Sequence, residues 1–119
     1  MPVVRIESSI PLPPQTSRAD ALAAIKDVIM LKLGSKPFQV RVALYDVDPA
    51  GVMVEGEIGN AAPPFVFVLA HIHEGRGPDD RAAFVAELMR VVAACYGVRE
   101  AYVKVIAQEF ADADWAFGT

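Results

Sequence analysis

The sequence predicts an α/β domain in which two β-α-β repeats build one four-stranded mixed sheet with both helices on one face. Three observations carry this reading. Two segments place apolar residues at helical spacing. Each is flanked by β-rich runs, so strand-helix-strand occurs twice. The halves also match at an offset of 63 residues: Gly34 with Gly97, Val40 with Val103, Val42 with Val105, Arg18 with Arg81.

The elements follow in order. Val3 to Glu7 is a short β-rich run, and the Ser/Pro stretch Ser8 to Gln15 excludes a helix. Thr16 or Ser17 caps the first helix, whose Ala21, Leu22, Ile25, Val28, Ile29 and Leu33 recur at three- and four-residue spacing until Gly34 stops it. Phe38 to Val47 alternates, with Val40, Val42 and Leu44 on one side and Arg41 and Tyr45 on the other. Pro49-Ala50-Gly51 is a turn, Val52 to Val54 a short strand, and Gly59-Asn60 with Pro63-Pro64 closes the half. Phe65 to His73 is a strand apolar enough for burial on both faces, and Glu74 to Gly77 is a turn. Pro78 opens the second helix, lined by Phe84, Leu88, Val91, Val92 and Cys95 and ended by Gly97. Tyr102 to Glu109 is the last strand. Crossover helices require parallel pairing within each half. The whole chain, 1–119, reads as a single domain with repeats at about 2–48 and 64–111.

Composition narrows the classes of function. With 119 residues, 54% hydrophobic and 22% charged, the chain is one folded domain rather than two, and is not disordered. A net charge of −4 argues against a nucleic-acid partner, and no apolar run is long enough for a membrane. A small domain cannot bury so large an apolar share alone. The sheet face away from the helices therefore calls for neighbouring subunits. Cys95 is the only cysteine, lies in a helical apolar run and reads as a buried small hydrophobe. A single thiol and no signal peptide at the start point to the cytoplasm.

Four segments together resemble the tautomerase superfamily, over the whole chain. They are Met1-Pro2 directly before the first strand, the duplicated β-α-β, His73-Glu74-Gly75-Arg76 after the third strand, and Asp112-Ala113-Asp114-Trp115-Ala116-Phe117-Gly118 at the C-terminus. Asp48-Pro49-Ala50-Gly51 and the Glu-Gly-Arg turn are most similar to the cis-3-chloroacrylic acid dehalogenase branch, and the Asp-Ala-Asp-Trp tail to the malonate semialdehyde decarboxylase branch. Lys36-Pro37, Tyr102 and Lys104 resemble the pattern of macrophage migration inhibitory factor.

The resemblance implies a homotrimer, no cofactor and no metal, and a small carboxylate substrate. Pro2 becomes the catalytic base: once Met1 is removed, its secondary amine titrates near neutrality, and desolvation or nearby cations keep it neutral. With Met1 retained, the nitrogen is an amide and has no basicity. Arg76 matches the arginine that clamps the substrate carboxylate with its planar fork. His73 stands where the dehalogenase has a second arginine. Lys104 stands where 4-oxalocrotonate tautomerase polarises the 2-oxo group. Tyr102 and Lys36 match pocket-lining positions, and Trp115 the aromatic wall that excludes water. His71, two residues before His73, reads as structural, since two histidines are too few for a metal.

The departures from the family pattern matter as much. Leu12-Pro13-Pro14 stands in the first half where the second has the Glu-Gly-Arg turn, so one site per chain is expected. The water-activating glutamate of the dehalogenases has no clear match. Ile29 or Met30 replaces their first-helix histidine. Gly34 to Phe38 is too short to hold the aspartate of the decarboxylases. Proton transfer needs none of these, so keto–enol tautomerisation of small 2-oxo acids or dienols is the expected activity. Hydration, dehalogenation or decarboxylation of a C3 acid at the same site is the alternative, and a non-catalytic trimeric binding protein the second.

Overall fold

The computed structural model describes residues 2–116. Met1, Phe117 and Gly118, which figure in the resemblance, lie outside the described residues. The elements are β1 (Val3–Ser8), α1 (Arg18–Leu33), β2 (Arg41–Asp46), β3 (Met53–Val54), β4 (Glu57–Ile58), β5 (Val66–His73), α2 (Pro78–Tyr96) and β6 (Val103–Phe110). The main sheet has four strands in the order β2-β1-β5-β6. β1 pairs parallel with β2 and β5 parallel with β6, while the halves join through the antiparallel pair β1 and β5. This is the mixed sheet expected from two crossover units.

The caps are where the sequence puts them. Ser17 accepts the Asp20 N–H at 3.0 Å, and Gly34 and Gly97 end the helices at φ 68° and 67°. Left-handed backbone of this kind favours glycine. Both helices cover one sheet face. Val4 and Ile6 of β1, Val66, Val68, Ala70 and Ile72 of β5, Ile25 and Ile29 of α1, and Phe84 and Leu88 of α2 form one core. Cys95 is buried, and loss of water contact raises its thiol pKa, as befits an inert core residue.

Several boundaries differ from the periodic reading. Pro37–Gln39 forms a 3₁₀ turn, so the second strand starts at Arg41 rather than Phe38. Glu100–Tyr102 forms another, which leaves Tyr102 just before β6. The proline ring in the first case fixes φ in the turn range and removes a ladder donor. β5 is buried on one face only: Val66, Val68, Ala70 and Ile72 alternate with half-buried Phe67, Leu69, His71 and His73. Its apolar outer face is what the sequence could not distinguish from core. The short strand expected at Val52–Val54 is β3, and it pairs with an unanticipated β4. Glu55 and Gly56, at φ 55° and 81°, make the tight turn of this hairpin.

Candidate active site

Pro2, His73 and Arg76 come together. They line one cavity of about 110 Å³ with Leu33, Gly34, Ser35, Gln39 and Ile72. Pro2 is buried at the start of β1, where its carbonyl accepts the Arg41 N–H at 3.2 Å. Val3 pairs with His71, so the start of β1 lies beside the end of β5. The antiparallel join of the two halves therefore places Pro2 against the turn that carries Arg76.

Arg76 is held from two sides. One guanidinium nitrogen donates to the His73 carbonyl at 3.1 Å and the other to the Leu33 carbonyl at 2.8 Å. Leu33 ends α1, and the carbonyl end of a helix attracts a cation. Arginine carries five N–H donors, so two such bonds orient the fork and leave donors for an anion. Arg81 braces the turn by donating to the Arg76 carbonyl at 2.7 Å while pairing with Glu109 at 3.0 Å. Gly75, at φ 114°, supplies the backbone freedom the turn needs.

His73 lies between two oxygens. Nδ1 faces the Glu74 carbonyl at 2.9 Å, and Nε2 faces an Asp112 carboxylate oxygen at 2.5 Å. A carbonyl and a carboxylate both accept, so this arrangement favours the doubly protonated imidazolium. The Asp112 hydrogen bond, and then the Glu74 carbonyl, raise the His73 pKa above its usual 6.5. With both nitrogens engaged, His73 offers the cavity charge rather than a free hydrogen bond. Asp112 belongs to a 3₁₀ turn, Asp112–Asp114, that carries Trp115 onto Phe110, ring centroids 4.9 Å apart. Phe110 in turn meets the His73 ring edge to face at 5.5 Å.

The remaining expected residues lie elsewhere in the single chain. Trp115 shares a neighbouring cavity with Val3, His71 and Phe110. Lys36 is exposed. Its N–H donates to the Gln39 side chain at 2.9 Å beside the Pro2 cavity, but its side chain does not line it. Tyr102 and Lys104 line a cavity with Met53 and Phe67 toward the opposite end of the sheet. Lys104 pairs with Phe67, whereas Val3 pairs with His71. Along β5 the two positions are separated by about 13 Å at the usual rise per residue.

The sequence reading missed Asp112, Gln39, Ser35 and the bracing role of Arg81. Arg81 left a signal in its match to Arg18 in the repeat, and Asp112 in its place within the Asp-Ala-Asp-Trp tail. Among the described residues no group of three or more His, Cys, Asp or Glu could hold a metal ion, and no helix is long and apolar enough to cross a membrane.

No family model and no curated protein matches the chain. Solved structures do. Pt0534, inactivated by 2-oxo-3-pentynoate, superposes with a TM-score of 0.86 at 22% identity, over 97% of this chain and 90% of that one. The Q0 fused 4-OT, a symmetric trimer, gives 0.85 at 23% identity, over 97% and 90%. The chain has the tautomerase-superfamily fold. Within that fold, FG41 malonate semialdehyde decarboxylase, inhibited by 3-bromopropiolate, is similar with a TM-score of 0.71 at 23% identity, over 98% and 89%. Tautomerase and decarboxylase chemistry thus both occur on this scaffold, and the residues of the site have to discriminate between them.

Proposed function

We propose that this protein is a keto–enol tautomerase of small 2-oxo acids or their dienols, with the Pro2 amine as the base. One observation carries the reading: a buried Pro2 shares its cavity with Arg76 and with His73, whose pKa is raised by Asp112. Removal of Met1 exposes the amine. Burial and the two neighbouring cations disfavour its protonated form, so it is neutral near pH 7. It accepts the enol O–H proton, and the resulting ammonium delivers a proton to carbon as the carbonyl forms. Arg76 holds the substrate carboxylate through its free donors, and the His73 imidazolium adds positive potential without a bond of its own.

The chain works as a homotrimer in this reading. The uncovered sheet face presents Phe67, Leu69 and exposed Ile106, and the β3–β4 hairpin carries exposed Met53 and Ile58. A neighbouring copy packed on that face covers them and brings its own Lys104 and Tyr102 toward Pro2. There the lysine stabilises the developing enolate oxygen and the tyrosine lines the pocket. Trp115 closes the site against water, and Lys36 stands at its rim.

Intact mass of the protein from its native host gives a first test. Loss of Met1 is expected, and a retained Met1 removes the base. Replacing Pro2 with Ala is expected to abolish conversion of a 2-hydroxy-dienoate to its ketone; undiminished turnover would overturn the reading. Incubation with 3-haloacrylates and malonate semialdehyde, followed by product NMR, separates the hydratase, dehalogenase and decarboxylase alternatives. Asp112 is bonded to His73 and is not poised as a water-activating base, which favours the tautomerase.

A further inference from the structure

The internal repeat holds a second cavity. Three positions that line the Pro2 cavity, Leu33, Ile72 and His73, correspond at the offset of 63 residues to Tyr96, Ser9 and Ile10. Those three line a separate cavity of about 470 Å³ at the far end of β1. The chemistry there is different. The counterpart of Pro2 is Phe65, which has no free amine, and the counterpart of Arg76 is Pro13. Base and anion clamp are both missing, but the space is larger.

Tyr96 points to an occupant. It is 6% exposed, and its hydroxyl makes no hydrogen bond to any described residue. No buried side-chain polar atom is sealed away without a partner, so this hydroxyl opens into the cavity. Burial first, then the charge of Asp46, raise the phenol pKa, and Arg18 opposes them. Tyr96 shares this cavity with the Arg18–Asp46 pair, whose charged atoms lie 2.8 Å apart. In the second half the matching pair, Arg81 and Glu109, is half as exposed and is used to brace the Arg76 turn. In the first half the proline-rich loop takes no such bond, and the space beneath it stays open.

The ligand class follows from the walls. Ile10, Leu12, Leu44 and Pro49 are apolar, Arg18 and Asp46 neutralise each other, the Ser8 hydroxyl is spent on the Ile10 carbonyl, Ser9 and Thr16 are only half-buried, and Tyr96 offers the one buried, unspent donor. An ion entering here would lose water without gaining an unpaired countercharge. A ring with one acceptor oxygen matches both the apolar walls and the buried Tyr96 donor. We infer that this cavity is a second binding site, for a small neutral phenol-like compound whose ring lies against Leu12 and Leu44 and whose oxygen accepts from Tyr96. The site binds and does not react, and it stands independently of the chemistry proposed for Pro2.

Amide NMR of the full chain with p-cresol, and with p-toluate as the charged comparator, tests it. The expected result is a saturable shift of Ile10, Thr16 and Tyr96 signals with p-cresol at millimolar concentration, with p-toluate at least about tenfold weaker. Tyr96→Phe is expected to weaken p-cresol by about tenfold, the loss of one buried hydrogen bond. Leu12→Trp, which fills the cavity, is expected to abolish binding. Both variants should leave turnover at the Pro2 site unchanged. The inference is overturned if no saturable shift appears, if shifts fall only on His73 and Arg76, if p-toluate binds as well as p-cresol, or if Tyr96→Phe binds like the parent. Should Leu12→Trp fail to fold, the Tyr96→Phe comparison decides alone.

Discussion

At the scale of single residues, Arg76 and His73 differ in what they can do although both can carry positive charge. Arg76 keeps donors free after binding two carbonyls, whereas His73 has spent both of its protons. Arg76→Ala is therefore expected to lower kcat/KM about 100-fold, mostly through KM, as steady-state kinetics would show. Arg76→Lys keeps the charge but loses the fork, and should recover only part of it. For His73 the prediction concerns pH. Its pKa in the folded chain lies above 6.5, so the pair with Asp112 contributes fully below about pH 6.5. That contribution is lost as pH rises through the raised value, where the ring gives up its second proton. Asp112→Asn is expected to bring the His73 titration, followed by NMR, down toward 6.5. An unchanged titration curve would contradict the imidazolium assignment.

At the scale of elements, the end of α1 matters more to the site than its length. Leu33 supplies a carbonyl to Arg76, and the next residue, Gly34, lines the cavity at φ 68°. Gly34→Ala meets no neighbouring atom within 4 Å, so its cost is conformational rather than steric. The expected loss is about 1 kcal/mol in urea unfolding, with a raised KM because the Leu33 carbonyl shifts. Gly34→Asn, which tolerates left-handed backbone better, should lose less. In the core beneath, Leu88 is fully buried, and Leu88→Ala is expected to cost about 2–5 kcal/mol by the same measurement.

At the scale of the whole molecule, the single chain leaves apolar surface uncovered. Its radius of gyration is 14.8 Å, where a compact chain of this length has about 13.5 Å. One sheet face and the β3–β4 hairpin expose apolar residues that the helices do not cover. Ile106, 48% exposed in the middle of β6, is the place to test assembly. Ile106→Glu is expected to give a monomer in native mass spectrometry with helical circular dichroism retained, because the core face of β6 is untouched. The proposed site predicts that turnover falls with the trimer, because in that proposal a neighbour's Lys104 completes the Pro2 cavity.

Periodicity, caps and the repeat were enough to place both helices, the four main strands and their parallel pairing. These depend on contacts between residues close in the chain, or on a pattern repeated in it. Pro2 and the Glu-Gly-Arg turn were legible for the same reason, as short motifs at element ends. The link between His73 and Asp112 was not, because 39 residues separate them and no spacing rule connects the two. Nor was the separation of Tyr102 and Lys104 from Pro2, which follows only from the antiparallel register of β1 on β5. The sequence by itself determined which groups are chemically able to act, since composition and local pattern decide charge, cap and turn. Which of them share a cavity was decided by the tertiary structure, because strand register and the crossing of the two halves bring distant ends together.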